Sequence, residues 1–93
     1  MSNKLEKIEY SDHVEWWLDG KRHREDGPAI EWADGAKEWW LNDKLHREDG
    51  PAVEWSDGSV EWWLNDGRYK SPEDMPLKLY IQYIKWTNEH NEI

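Results

Sequence analysis

The heptapeptide His-Arg-Glu-Asp-Gly-Pro-Ala occurs twice, as His23 to Ala29 and as His46 to Ala52. A histidine, an arginine and two carboxylates in four consecutive residues suit acid–base catalysis, metal binding or an ion-paired corner. If the copies lie on successive hairpins, equivalent residues are two strands, or roughly 10 Å, apart. That is too far for His23 and His46 to share a zinc ion, whose nitrogen ligands lie about 2.0–2.1 Å from the metal. Glu25 and Glu48 at that separation reach or exceed the wide end of the inverting glycosidase geometry, roughly 9.5 Å. The duplicated motif therefore reads as a turn-forming corner. Gly27 and Gly50 are expected at positive φ, Pro28 and Pro51 lead into the next strand, and Arg24 and Arg47 pair with nearby carboxylates. The expectation is no catalysis, no metal and no cofactor.

The elements that place these corners come from a repeat. "EWWLDGKRHREDGPAIEWADGAK" (15–37) and "EWWLNDKLHREDGPAVEWSDGSV" (38–60) agree at 16 of 23 positions, and a third copy starts at Glu61 and breaks off. "IEYSDHVEWWL" supplies the back half of a copy at the front, one residue shorter at the junction. Short β-forming runs alternate with Asp-Gly turn signals, which predicts hairpin after hairpin. Strands are expected at 7–10, 14–18, 29–32, 37–41, 52–55, 60–64 and 68–70. Together they predict a mainly β fold, an antiparallel meander of consecutive hairpins capped by one C-terminal helix, in a single domain over 1–93.

Period-two alternation places Trp16 with Leu18, Trp39 with Leu41 and Trp62 with Leu64 on the expected core face, joined by Ile30, Trp32, Val53 and Trp55. The opposite face is expected to carry Glu15, Glu38 and Glu61 with Trp17, Trp40 and Trp63, and also Glu9, Glu31 and Glu54. Two readings of those tryptophans stand open: anchors for a partner, or a second core face.

After residue 70 the composition changes. Ser71 reads as an N-cap, Pro72 as the first helical residue, and Glu73 with Asp74 fill the first turn, so a helix is expected over 71–90. Leu77, Tyr80, Ile81 and Ile84 make one apolar stripe; Leu79, Tyr83 and Trp86 make another, assigned to contact with the sheet or with another subunit.

Composition bounds the function. The 93 residues include nine Trp, four Tyr and no Phe, so indoles are the main core material. Acidic residues outnumber basic ones 21 to 12, a formal charge of −9. Such a balance repels phosphate backbones and anionic lipid, which argues against direct nucleic-acid or membrane binding and favours a protein partner with a basic surface. There is no cysteine for a disulfide or thiolate site. The N-terminal residues lack an apolar signal-like segment and no run is long enough to span a bilayer, so a cytoplasmic location is expected.

The 23-residue period, with "DGKRH" after a Trp-rich strand and "ADG" closing the unit, resembles MORN repeats over residues 8–70, in the form found in bacterial and phage proteins. The resemblance implies consecutive hairpins in an elongated sheet used as a protein-binding scaffold. Some bacterial variants are classed with antitoxin or immunity proteins, and membrane binding is claimed for some members. Here "RHRED" stands where a basic, glycine-rich "RHGKG" is the ordinary pattern, which weakens the lipid-binding inference.

Three functions follow as expectations. The first is a non-enzymatic acidic module that antagonises a basic partner, such as a toxin or a nucleic-acid-handling enzyme, through Trp17, Trp40, Trp63, Glu15, Glu38, Glu61, Glu31 and Glu54. The second is an oligomer sequestering a nucleotide-like ligand between Trp rings. The third is a structural homo-oligomer built through the C-terminal helix or the end strands.

Overall fold

The computed structural model describes residues 4–90. In chain order the strands are β1 (Leu5–Glu9), β2 (His13–Leu18), β3 (Lys21–Arg22), β4 (Ile30–Trp32), β5 (Lys37–Glu38), β6 (Trp40–Leu41), β7 (Lys44–Leu45), β8 (Val53–Glu54), β9 (Val60–Leu64) and β10 (Gly67–Tyr69). A 3-10 turn at Pro72–Asp74 precedes helix α1 (Leu77–His90). The main sheet runs β1-β2-β4-β5-β8-β9-β10, with β3 beside β2 and β6-β7 as a separate ribbon. Every pairing is antiparallel. The fold is thus the expected antiparallel β-sheet with one C-terminal helix.

Each unit's long strand serves two hairpins. The first half of β2 pairs with β4 and its second half with β3. The exchange occurs at Trp16, whose amide donates to the Ala29 carbonyl (2.7 Å) and whose carbonyl accepts from the His23 amide (3.0 Å). Trp39 does the same with Ala52 and His46. The change of partner there divides the expected 37–41 strand into β5 and β6.

Two turn types set the register. The tips at Asp19-Gly20, Asn42-Asp43 and Asn65-Asp66 have positive φ at both residues, the geometry that suits two-residue hairpins. In the third copy Gly67 therefore starts a strand instead of sitting in the turn. Asp43 donates its amide to the Arg22 carbonyl (2.9 Å) and accepts the Arg22 amide on its carboxylate (2.8 Å). Asp66 holds Leu45 the same way. These paired bonds offset the cost of left-handed aspartates and stitch each tip to the preceding repeat.

The other turn is a three-residue loop, Ala33-Asp34-Gly35, not a two-residue Asp-Gly turn. Trp32 donates to the Ala36 carbonyl (2.9 Å), Gly35 donates back to Trp32 (3.0 Å), and Gly35 has φ +100°. Ile30 therefore lies opposite Glu38, and Glu31 opposite Lys37. One residue of loop length reverses the facing of the whole strand. Ile30, Trp32, Val53 and Trp55 accordingly share a face with Glu15, Glu38 and Glu61, whereas Glu9, Glu31 and Glu54 lie on the face of Trp16, Trp39 and Trp62. This overturns the expected assignment of both groups.

The helix starts later than the sequence implied. Met75 precedes Pro76 and is extended (ψ 141°), as steric conflict with a following proline ring favours, so the Pro72 turn ends and a new helix begins at Leu77. The Ser71 side chain caps no backbone amide; its hydroxyl donates to the Glu73 carboxylate. Leu79 is 1% exposed and forms a core with Trp62 and Met75, flanked by Tyr83 and Trp86. The Leu79 stripe thus contacts the sheet, and Leu77, Tyr80, Ile81 and Ile84 are left exposed.

Candidate functional site

One face of the sheet carries a transverse row in register, Ile8–Glu15–Ile30–Glu38–Val53–Glu61. Its glutamates are fully engaged. Glu38 accepts indole N–H groups from Trp32 (2.8 Å) and Trp40 (2.9 Å), one on each oxygen. Glu61 accepts from Trp55 (2.8 Å) and Trp63 (2.9 Å) in the same way. At Glu15, Trp17 donates to one oxygen (2.8 Å), and His13 meets the other (2.8 Å). An ionised carboxylate with two donors keeps its charge stabilised in a half-buried site.

The front rung differs because the leading copy is one residue shorter. His13 takes the place of the second indole, stacked between Tyr10 (4.5 Å) and Trp32 (4.4 Å). Hydrogen bonding to Asp12, then to Glu15, raises the His13 pKa against the opposing effect of burial. Burial of Glu15 pushes its pKa up, but the bonds from Trp17 and His13 and the nearby positive charges of His13 and Arg22 outweigh it and leave it lowered.

Along the same face Trp17, Trp40 and Trp63 lie opposite Arg22, Leu45 and Arg68 on their hairpin partners. The Arg22 guanidinium lies over both Trp17 and Trp40, 5.2 Å from each ring centroid. The space between those rings is occupied by the protein's own cation. Arg22 stands opposite Trp17 across an Asp-Gly turn, a signal readable in the sequence.

The other face carries the corners. Arg24 donates to Asp26 (3.2 Å), to the Pro28 carbonyl (3.2 Å) and to Glu31 (3.0 Å), with its guanidinium 4.3 Å from the Trp16 centroid. Arg47 repeats this with Asp49, Pro51 and Glu54, 3.8 Å from Trp39. Glu31 and Glu54 are therefore the arginines' anchors. Gly27 and Gly50 do not adopt positive φ. The guanidinium packs closely against them: a Cβ on Gly50 would sit 2.7 Å from Arg47 Cζ, so the arginine would have to shift, and one on Gly27 would sit a tight 3.2 Å from Arg24 Cζ.

The corner histidines have both ring nitrogens engaged. His23 accepts the Asn42 amide on Nδ1 (3.1 Å) and meets Glu25 through Nε2 (3.1 Å); His46 does likewise with Asn65 and Glu48. This fixes the neutral Nε2–H tautomer and leaves no free lone pair for a base. Among the described residues no three His, Cys, Asp or Glu side chains are grouped to hold a metal. What the corners present outward is carboxylate. Asp26 and Asp49 side chains are 85% and 81% exposed, beside Glu25 and Glu48, and an open groove lined by Trp39 and Leu41 runs between the two corners.

No protein-family model, curated protein sequence or solved structure matches this chain.

Proposed function

We propose that this chain is a non-enzymatic protein-binding module that engages a partner with a basic surface through the acidic edge of its repeat corners. The observation that carries the reading is the exposed carboxylate series Glu25, Asp26, Glu48 and Asp49, repeated at a fixed interval and braced from behind by Arg24, Arg47 and the corner histidines. Side chains already held in one geometry lose less freedom on binding, and a charged edge speeds encounter with an oppositely charged surface. Glu15, Glu38 and Glu61 serve the tryptophans instead, so on the indole face these three carboxylates are already engaged by Trp17, Trp40 and Trp63. The engagement of both nitrogens in His23 and His46 supports a role in holding the loop over a role in catalysis.

The MORN-like unit and the negative charge fit an antagonist or immunity protein acting in the cytoplasm of a bacterium or on behalf of a phage, with a toxin or nucleic-acid-handling enzyme as target. Ligand sequestration between Trp rings is disfavoured by Arg22, which already fills the gap between Trp17 and Trp40. Among the described residues no helix is long and apolar enough to cross a membrane.

The test is capture of partners from lysate at low and moderate salt, followed by reconstitution with the isolated partner. The expected result is a basic protein bound stoichiometrically, released by salt and lost on combining Glu25→Lys, Asp26→Lys, Glu48→Lys and Asp49→Lys. Binding that ignores both salt and charge reversal would refute the acidic-edge reading. Recovery of a small molecule in place of a protein would revive sequestration.

A further inference from the structure

We infer that copies of this chain join head to tail, with β1 of one copy pairing antiparallel to the open edge of β9 in the next, in the register Ile8–Glu61, Glu9–Val60 and Tyr10–Ser59. The chain itself supplies the template. Inside it, Ile30 and Glu31 of β4 lie opposite Glu15 and Val14 of the long strand β2. The repeat aligns β1 with β4 and β9 with β2. β1 carries the Ile-Glu-aromatic sequence of β4, yet no long strand lies on its outer side. Along β9, β10 takes the place of β3, and the place that β4 fills beside β2 is vacant. Each end of the sheet therefore lacks the strand that the other end presents, and an unpaired edge is a template for such addition.

The backbone at both edges is set for this register. Tyr10 donates its amide inward to His13 (2.8 Å), so strand alternation turns the amide and carbonyl of Glu9 outward. Ser59 accepts the Trp55 amide (2.8 Å), so Val60 turns its own amide and carbonyl to the open side. A groove of about 460 Å³ lies there, bounded by Val60, Glu61, Trp62, Met75 and Tyr83. Side chains continue both faces of the sheet. On one, the row that starts at Ile8 ends at Glu61, so joining Glu61 to Ile8 of the next copy keeps its alternation. On the other, an arginine clamps each internal junction, Arg24 to Glu31 and Arg47 to Glu54, both at 3.0 Å. Lys70 and Glu9 stand at those two places on the ends of the repeat. Lys70 forms no ion pair among the described residues, and Glu9 has only a 4.0 Å contact with Lys7 and a side chain 71% exposed. Their pairing across the junction reproduces the clamp. The corner carboxylates take no part, so this assembly and the proposed partner binding stand or fall separately.

The full chain lacks cysteine, so the register can be trapped directly. Tyr10→Cys and Ser59→Cys, mixed as separate single variants, place thiols at facing positions of a non-hydrogen-bonded pair, with Cα atoms about 4.5 Å apart, a span that a disulfide bridges. On mild oxidation the mixed disulfide is expected in excess over either homodimer, and Tyr10→Cys mixed with Lys85→Cys is expected to show no such excess. By sedimentation in moderate salt, which screens the −9 charge of each copy, the 11.3 kDa wild type is expected to grow past the dimer as concentration rises, because a head-to-tail contact does not close. Glu9→Pro removes the outward amide and is expected to stay monomeric with unchanged near-ultraviolet circular dichroism. Glu9→Lys and Lys70→Glu should each weaken association roughly 2- to 5-fold, and the two in one chain should restore it. A wild type that remains monomeric at about 1 mM overturns the inference, as does growth that stops at the dimer. Absence of the mixed-disulfide excess, or failure of the charge exchange to restore association, overturns the register.

Discussion

Trp39 and Trp62 occupy the same position in successive repeats and are covered by different means. Trp39 lies under the Arg47 guanidinium, which is itself held by Asp49, Glu54 and the Pro51 carbonyl. At Trp62 the equivalent of that arginine is Lys70, and the indole meets the edge of Tyr83 at 5.7 Å along with Leu79 and Met75. Trp62 is 5% exposed, whereas Trp39 is only half-buried. A charged stack must keep part of its surface in water, while an apolar helix can close over the ring completely. The helix thus ends the repeat by replacing the cover that a further corner would have supplied.

The largest expected effect tests that contrast. Trp62→Ala should cost about 3–5 kcal/mol by denaturant unfolding, and Trp39→Ala clearly less. Equal costs would mean that the guanidinium stack protects an indole as well as the helix does. Next, Arg47→Ala should cost about 1.5–3 kcal/mol because it leaves Glu54 without its partner and uncovers Trp39, while Lys70→Ala should change stability by less than about 0.5 kcal/mol. A similar loss from Lys70→Ala would show that the third copy keeps a working corner.

Comparing the corners with each other gives a smaller effect. Gly50→Ala should destabilise by about 1–2 kcal/mol, and Gly27→Ala by less, since the added methyl meets Arg47 Cζ at 2.7 Å but Arg24 Cζ at 3.2 Å. Thermal midpoints of the two variants, measured side by side, would show whether guanidinium packing sets the order. The reverse order would point to another constraint at Gly27.

The smallest effect separates the first rung from the other two, because only Glu15 is met by an imidazole. The His13 pKa is raised above 6.5 in the folded chain, so its stabilising contribution is complete below that pH and disappears as pH rises through the folded value. His13→Asn should remove this part of the pH dependence. Urea midpoints of both proteins at about pH 6 and about pH 9 check it, and identical pH responses would rule the contribution out.

Particular residues show where sequence reading stopped. The 23-residue repeat, the hairpins and the single helix were legible because strand alternation and turn chemistry are local. The Leu79, Tyr83 and Trp86 stripe was legible as a contact face for the same reason. The facing of Ile30, Glu31, Val53 and Glu54 was not: "ADGA" and "SDGS" fit a two-residue turn as well as the observed three-residue loop, and one residue inverts the strand. The role of Gly27 and Gly50 was also hidden, because it depends on a guanidinium folding back over the chain. Met75 ended the early turn through Pro76, a local signal that the Ser71-Pro72 start outweighed.

By itself the sequence determined the repeat unit, the antiparallel meander, the acidic balance and the apolar faces of the helix, all of which follow from short-range periodicity and composition. Only the tertiary structure decided which glutamates are consumed by indoles, which are left exposed at the corners, and which helix face stays uncovered. Those outcomes depend on register across strands and on side chains meeting from distant positions, where a shift of one residue changes every partner.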